Sequence, residues 1–187
     1  KFPISLANLV DIRQESRSLE RIAGFRSWNH TLTEHGDPEQ LSGALVLPGL
    51  FEILGVRTAL GRTFIAEEER SGGSAIISDR LWRNRFGADP AIIGRSIQLS
   101  GVPTTIFGVM PPGFHFPRGA ELPSGLRFGR RTDLWTPLIV DSMALSLRGL
   151  QNLAAVAAPT RGQDAGTVTA DLDLVARALI ERYPGLD

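Results

Sequence analysis

Apolar residues recur at helical spacing near both ends of the chain. Near the start, Ser5 is a candidate N-cap for a helix whose apolar positions begin at Leu6. Near the end, the pattern predicts a helix from about 169 to 183, with acidic residues in its first turn and a stop at Pro184-Gly185. The apolar stripe of this last helix consists of Leu172, Val175, Ala176, Leu179, Ile180 and Tyr183.

Between these helices, short strands alternate with short helical turns. A hairpin is predicted from 95 to 110, because apolar and polar residues alternate on both sides of the two-residue turn Ser100-Gly101. Ser78 is placed to cap a helix that stops at Gly87. The remaining predicted elements are helical turns at 19–23 and 48–55 and strands at 25–33, 40–47, 75–77 and 150–158. This mixture predicts an α/β domain.

Residues 111–133 break the pattern. Pro and Gly recur throughout this stretch and forbid regular structure over most of it. Loops of this length are uncommon and are usually functional or disordered. The stretch carries a local positive charge that could meet a partner or lipid headgroups, but Glu121 and Asp133 reduce it, so a solvated loop is favoured. The basic residues are Arg118, Arg127, Arg130 and Arg131.

Composition narrows the class of protein. The 187 residues are 42% hydrophobic, which is typical of a folded domain. Lys+Arg and Asp+Glu both number 20, and this balance argues against nucleic-acid binding, which depends on a basic excess. The absence of cysteine excludes disulfides, thiolate nucleophiles and cysteine-ligated zinc.

No apolar run approaches the roughly 18 residues that a membrane span requires. The longest candidate, 134–147, is interrupted by Pro137 and Asp141. The chain opens without an initiator methionine or a signal peptide. We therefore expect it to be a piece of a longer protein, with any membrane anchors outside it.

Two patterns are candidates for chemistry at histidine or serine. His30 and His35 flank Glu34, with Asp37 nearby, which would suit a carboxylate–imidazole metal site. Alternate strand residues point to opposite faces, however, so these groups are not predicted to converge.

The three tryptophans lie within apolar patterns and are expected in the core. They are Trp28, Trp82 and Trp135.

Ser78 lies between a strand and a helix, which is where a hydrolase nucleophile would be presented. It lacks the flanking glycines of such an elbow, and helix capping accounts for it without catalysis. His35 or His115 would have to serve as its base. The sequence contains no phosphate-binding loop. We therefore predict no catalytic, cofactor-binding or metal-binding residue.

Six segments, in order, are similar to MacB-like periplasmic core domains of MacB/FtsX-type ABC transporter permeases, most closely the acidobacterial type. The most specific of them is a strand followed by Phe-Glu-x-Leu-Gly-Val, which occupies 51–56 here. The segments are 44–57, 59–64, 77–90, 93–95, 108–114 and 133–138.

The resemblance implies an α+β domain with a βα-rich lobe and a β-rich lobe. The domain would span 1–187, be truncated at both ends, and carry the β-rich lobe as an insertion at about 40–140. It would lie on the periplasmic side of an inner-membrane permease, between the first and second transmembrane helices. The implied partners are those helices, a cytoplasmic ABC ATPase, a periplasmic adaptor or lipoprotein, and a second copy in the full-length protein. The resemblance implies no enzyme activity and no cofactor.

Two alternatives remain open from the residues. A stand-alone module that binds a lipid or peptide would enclose a sizeable apolar pocket. A hydrolase would place a histidine within hydrogen-bond reach of Ser78. For the permease domain, the expected contact elements are the 111–133 loop and the hairpin tips at 36–38 and 100–101. The approach to the last helix, 159–166, is longer than the usual short turn of the family.

Overall fold

The computed structural model describes residues 3–33, 37–117, 126 and 131–184. The helices are α1 (Leu6–Glu15), α2 (Leu50–Ile53), α3 (Glu68–Ser71), α4 (Asp79–Phe86), α5 (Ser142–Ser146) and α6 (Ala165–Arg182). The strands are β1 (Leu19–Ser27), β2 (His30–Leu32), β3 (Glu39–Leu41), β4 (Gly43–Val46), β5 (Leu60–Gly61), β6 (Ser74–Ile77), β7 (Ser96–Leu99), β8 (Val102–Val109), β9 (Leu134–Pro137) and β10 (Ala154–Pro159).

Within the described part of the chain, the strands form one mixed sheet. Its order is β10-β1-β4-β9-β6-β8-β7-β2-β3, and β5 pairs with β8 outside that order. β1 continues into β2, and these two strands pair with β4 and β3, respectively, to form one long hairpin. The hairpin is interrupted at Trp28, whose N–H donates to the Gly43 carbonyl at 3.0 Å. The β2–β3 end of this hairpin pairs with the rest of the sheet, because Leu32 of β2 lies opposite Leu99 of β7. The sheet therefore closes on itself.

Two hydrophobic clusters pack against this sheet. The first combines α1, β1, β4 and α2 with Trp135, and it includes residues from Leu6 to Ala154. The second packs α4 against β6, β7 and β8, and its buried members all lie between Leu32 and Leu134. Helices and a mixed sheet in one chain confirm the α+β fold class.

Local signals in the sequence account for several elements. The Ser78 hydroxyl caps α4 by accepting a hydrogen bond from Leu81 N–H at 3.1 Å, and Gly87 ends the helix in the left-handed conformation. Ser100 and Gly101 both have positive φ, at 53° and 81°, as a type I′ turn between β7 and β8 requires. The predictions for this helix and this hairpin are confirmed.

Several predictions about local structure were wrong. Residues 19–23 belong to β1 and not to a helical turn, because this part of β1 pairs with β10, which is distant in sequence. Trp28 is 47% exposed and not a core residue, whereas Trp135 is fully buried. Glu68 is buried although it carries a charge, and Arg62 pairs with it at 2.6 Å. The last helix begins earlier than predicted, with Asp164 as its N-cap.

Candidate functional site

The last helix, α6, is fastened to the turn between α1 and β1 by one carboxylate. Asp171 Oδ2 accepts hydrogen bonds from the hydroxyls of Ser16 at 2.6 Å and Ser18 at 2.7 Å. It also accepts from the backbone N–H groups of Arg17 and Ser18, both at 3.0 Å. These bonds favour the ionised form, Ser16 most strongly, and they lower the pKa of Asp171 to about 2. We call this arrangement the Asp171 latch.

A second set of contacts holds the other end of α6. Arg182 pairs with Glu15 at 2.6 Å. Arg148 lies 3.7 Å from the centre of the Tyr183 ring and also donates to Asn8 Oδ1 at 2.6 Å. Asp171 meets the turn after α1, and Tyr183 lies, by way of Arg148, near Asn8 in the first turns of α1.

The apolar contribution to this junction is small. Val175 and Leu179 are the buried residues of α6, whereas Leu174 is 66% exposed and Ile180 is 56% exposed. A cavity of about 290 Å³ separates the helices, and both Ile4 and Tyr183 line it. The first and last parts of the described chain therefore lie side by side around one cavity.

A separate apolar groove of about 310 Å³ lies on the other side of α1. Its floor is the sheet, where Arg26 of β1 lies opposite Leu45 of β4. Its wall is α5, whose exposed Met143 and the following Leu147 face it. The groove is lined by Leu6, Arg26, Leu45, Pro137, Leu138, Ile139, Asp141, Met143, Ala144, Leu147, Leu150, Asn152 and Leu153.

The two charged groups of the groove differ in their partners. The Asp141 carboxylate caps α5 by accepting from Ala144 N–H at 2.7 Å. The Arg26 guanidinium lies 5.0 Å from the centre of the Trp28 ring, and no carboxylate of the described residues pairs with it. Burial lowers the pKa of Arg26, because desolvation disfavours the charged form. The alternative of a binding module required an enclosed pocket, whereas this groove is open to solvent.

Ser78 and His115 line a common small cleft, together with Arg80 and Arg131. The Ser78 side chain is engaged as the α4 cap, and its N–H donates to the Asp133 carbonyl at 2.8 Å. The cleft holds only about 60 Å³, well below the ~300 Å³ at which ligand sites begin. The structure brings serine and histidine near one another but supplies little room for a substrate.

The predicted histidine–carboxylate group is not assembled by the described residues. His30 approaches Thr136 Oγ1 at 3.3 Å, and burial lowers the pKa of His30. Glu34 and His35 lie outside the described residues. Among the residues that the structure does describe, no group of three or more metal-ligating side chains is found.

The expected contact elements are described in part. The 100–101 tip is the exposed end of the β7–β8 hairpin, and Val102 beside it is 56% exposed. Arg118, Arg127, Arg130 and part of the tip at 36–38 lie outside the described residues. Within the described ranges, no helix has the length and apolar character that crossing a bilayer requires.

Sequence reasoning missed both the Asp171 latch and the apolar groove. Asp171 was interpreted as a residue of the first turn that complements the helix dipole. The latch joins positions 153 to 155 residues apart, and the groove collects side chains from α1, β1, β4, α5 and the segments around them. No local motif signals either arrangement.

Comparison with known proteins places this fold. Residues 2–174 match the family described as MacB-like periplasmic core domain. The extracellular domain of the noncanonic ABC-type transporter YknZ from Gram-positive bacteria superposes with a TM-score of 0.66 at 15% identity, over 96% of this chain and 84% of that one. No curated protein sequence matches the chain.

Two further solved structures have the same fold. A domain of a putative permease protein from Porphyromonas gingivalis has a TM-score of 0.67 at 16% identity, over 95% of this chain and 72% of that one. The periplasmic region of MacB from Actinobacillus actinomycetemcomitans has a TM-score of 0.64 at 10% identity, over 97% and 75%. The family match, which covers most of the sequence, decides the assignment: this chain belongs to the MacB-like periplasmic core domains, the extracytoplasmic domains of ABC transporter permeases that work with an ATPase.

Proposed function

We propose that this domain couples ATP hydrolysis by a cytoplasmic ABC ATPase to movement on the periplasmic side of the inner membrane. The observation that carries the proposal is the junction of α1 and α6. The two helices pack against one another, and Ile4, just before α1, and Tyr183, just after α6, line one cavity. Segments that continue from either end would therefore reach the membrane side by side, where the transmembrane helices of the permease would move them together.

The two hydrophobic clusters support different roles for two parts of the domain, which spans 1–187. The cluster around α1 and Trp135 would receive the movement, and the cluster between Leu32 and Leu134 would carry it outward. We propose the second cluster as the core of the inserted β-rich lobe predicted at about 40–140. The β7–β8 tip and the 111–133 segment are the proposed contacts with a periplasmic adaptor or lipoprotein, and a second copy is the proposed partner in the full-length protein.

This role requires no chemistry in the domain itself. We propose that it has no catalytic, cofactor-binding or metal-binding residues, and that the ATPase supplies the energy. The occupied hydroxyl of Ser78 and the small volume of its cleft support this proposal over the hydrolase alternative.

The test uses the full-length permease with its ATPase in nanodiscs. A fluorophore on Val102→Cys, in an otherwise cysteine-free permease, would report its distance from the bilayer by energy transfer to labelled lipid headgroups. Position 102 suits this purpose because its side chain is 56% exposed beside the hairpin tip. We expect the transfer efficiency to change with ATP and to stay constant with an ATPase that binds but does not hydrolyse ATP.

A second arm tests whether α6 transmits the movement. Asp171→Asn removes the charge of the latch, so the ATP-dependent change in energy transfer should shrink while ATP turnover continues. Asp173→Asn is the matched control, because Asp173 is exposed and pairs with no described residue. An unchanged distance during ATP hydrolysis in the unmodified permease would refute the coupling role.

A further inference from the structure

The groove beside α5 contains a cation without a counterion. Arg26 is half-buried on its floor, and no carboxylate of the described chain lies within ion-pair distance. A buried or half-buried charge is costly unless it is paired. The acidic residue of the lining, Asp141, caps α5. Asp141 balances the formal charge of the lining, but the Arg26 guanidinium is left without an ion-pair partner and can pair with an anionic group of an occupant.

The rest of the lining is apolar and belongs to several elements. Leu45 lies on the floor beside Arg26, and Met143, Leu147 and Leu150 form an exposed wall. Their exposed fractions are 73% for Met143, 48% for Leu147 and 51% for Leu150, which leaves a contiguous apolar surface in water. Surfaces of this kind commonly mark ligand-binding or interaction sites. The volume of about 310 Å³ is that of a small ligand site.

The hydrogen bonds of the lining disfavour a peptide as occupant. An extended peptide must satisfy one donor and one acceptor per residue. Three lining N–H groups are already used: Leu138 donates to Val46, Leu150 to Leu147 and Leu153 to Ile4. The floor strands offer no free edge either, since β1 lies between β10 and β4, and β4 lies between β1 and β9. An acyl chain needs no such partners.

We propose that this groove binds a medium-chain fatty carboxylate, with the acyl chain against Leu45, Met143 and Leu147 and the carboxylate paired with Arg26. The guanidinium would then exchange part of its stacking on Trp28 for a charge-assisted hydrogen bond. This inference goes beyond the coupling role and does not depend on it, because it concerns binding to the domain itself.

Decanoate binding to the 187-residue chain provides the test. Trp28, 5.0 Å from Arg26 and 47% exposed, gives an intrinsic fluorescence signal beside the proposed headgroup site, and isothermal calorimetry gives the affinity. We expect saturable binding to decanoate, tighter binding to dodecanoate by up to about fourfold per added methylene, and much weaker binding to decyltrimethylammonium.

Variants separate the headgroup from the chain. Arg26→Gln should weaken decanoate binding at least about tenfold, because a hydrogen bond to a charged group is lost. Met143→Asp, at an exposed position that the fold does not need, should weaken it severalfold by placing a charge against the chain. Arg17→Gln is the matched control, because the Arg17 side chain is exposed and outside the groove. The decanoate affinity of this variant should equal that of the unmodified chain.

Several results would overturn the assignment. These are equal decanoate affinity in Arg26→Gln and the unmodified chain, equal affinity for the cationic amphiphile, or affinity for an apolar peptide without affinity for decanoate. Circular dichroism of each variant confirms folding. Where Arg26→Gln is destabilised, Met143→Asp still tests the site, and decanoate affinity equal to that of the unmodified chain would overturn it.

Discussion

Replacing Trp135 with phenylalanine tests the packing of the first hydrophobic cluster. Trp135 is fully buried on β9, and its ring lies 5.9 Å from the Phe51 ring and 5.4 Å from the Phe114 ring. Its indole N–H donates to the Phe116 carbonyl at 3.0 Å. The same side chain therefore joins α2, the sheet and the segment after β8.

The expected cost has two parts. Loss of the part-buried indole hydrogen bond should cost about 1 kcal/mol. The smaller ring leaves a void and weakens the aromatic contacts, which should cost a further ~1–2 kcal/mol. We expect a total loss of about 2–3 kcal/mol in the free energy of unfolding, or roughly 4–12 °C in Tm for a chain of this size.

The assay is urea unfolding followed by far-UV circular dichroism, which reads both tryptophan variants with the same signal. Trp28→Phe is the control, since the same chemical change at an exposed position should shift stability by no more than about 0.5 kcal/mol. The urea slope should stay constant in both variants. If Trp135→Phe cost no more than Trp28→Phe, the cluster around Phe51 would not be the packed core described above.

Two further predictions concern α6 and the long hairpin. Because the pKa of Asp171 is about 2 against an ordinary value of 3.8, the latch should be complete above about pH 4 and lost as the pH falls through 2. At neutral pH, Asp171→Asn should speed hydrogen exchange in α6 without changing exchange in β6 and β8, whereas Asp173→Asn should leave all three unchanged; equal exchange in both variants would contradict the latch. Gly43→Ala should lower the thermal unfolding temperature, since its Cβ would lie 2.6 Å from the Trp28 carbonyl, at a cost of about 1–3 kcal/mol. Gly149→Ala, with open space around the new methyl, should not; a similar Tm for both would be inconsistent with the close approach.

Elements whose signals are local could be predicted from the sequence. The α4 cap at Ser78, the stop at Gly87 and the Ser100-Gly101 turn each depend on neighbouring residues alone, and all three are present. The stripe that predicted the last helix also depends on local spacing. The helix starts earlier than predicted, because Asp164 caps it by accepting a hydrogen bond from Thr167 N–H. The apolar stripe does not extend back to this first turn.

Elements whose partners are remote could not be predicted. Residues 19–23 have helical spacing, but Ile22 pairs with Ala157 across more than a hundred residues, and tertiary pairing outweighs a short local preference. Trp28 was expected in the core as part of an apolar pattern, yet the hairpin is interrupted there and the ring lies partly in solvent beside Arg26. The groove is undetectable for the same reason: its charged floor and apolar wall meet only after folding.

The Asp171 latch is important for holding α6, because the buried residues of this helix lie outside both hydrophobic clusters. Val175 and Leu179, the buried residues of α6, belong to neither hydrophobic cluster. A helix held by little apolar contact should open locally at a lower free energy than the domain unfolds. In the proposed coupling role, movement of α6 would reach the sheet mainly through the directional bonds to Ser16 and Ser18, assisted by the ion pair of Arg182 with Glu15. Loss of those bonds should therefore uncouple the helix and leave the core intact. If α6 instead exchanged at the rate of the core strands in Asp171→Asn, packing would transmit the movement and the latch would be dispensable.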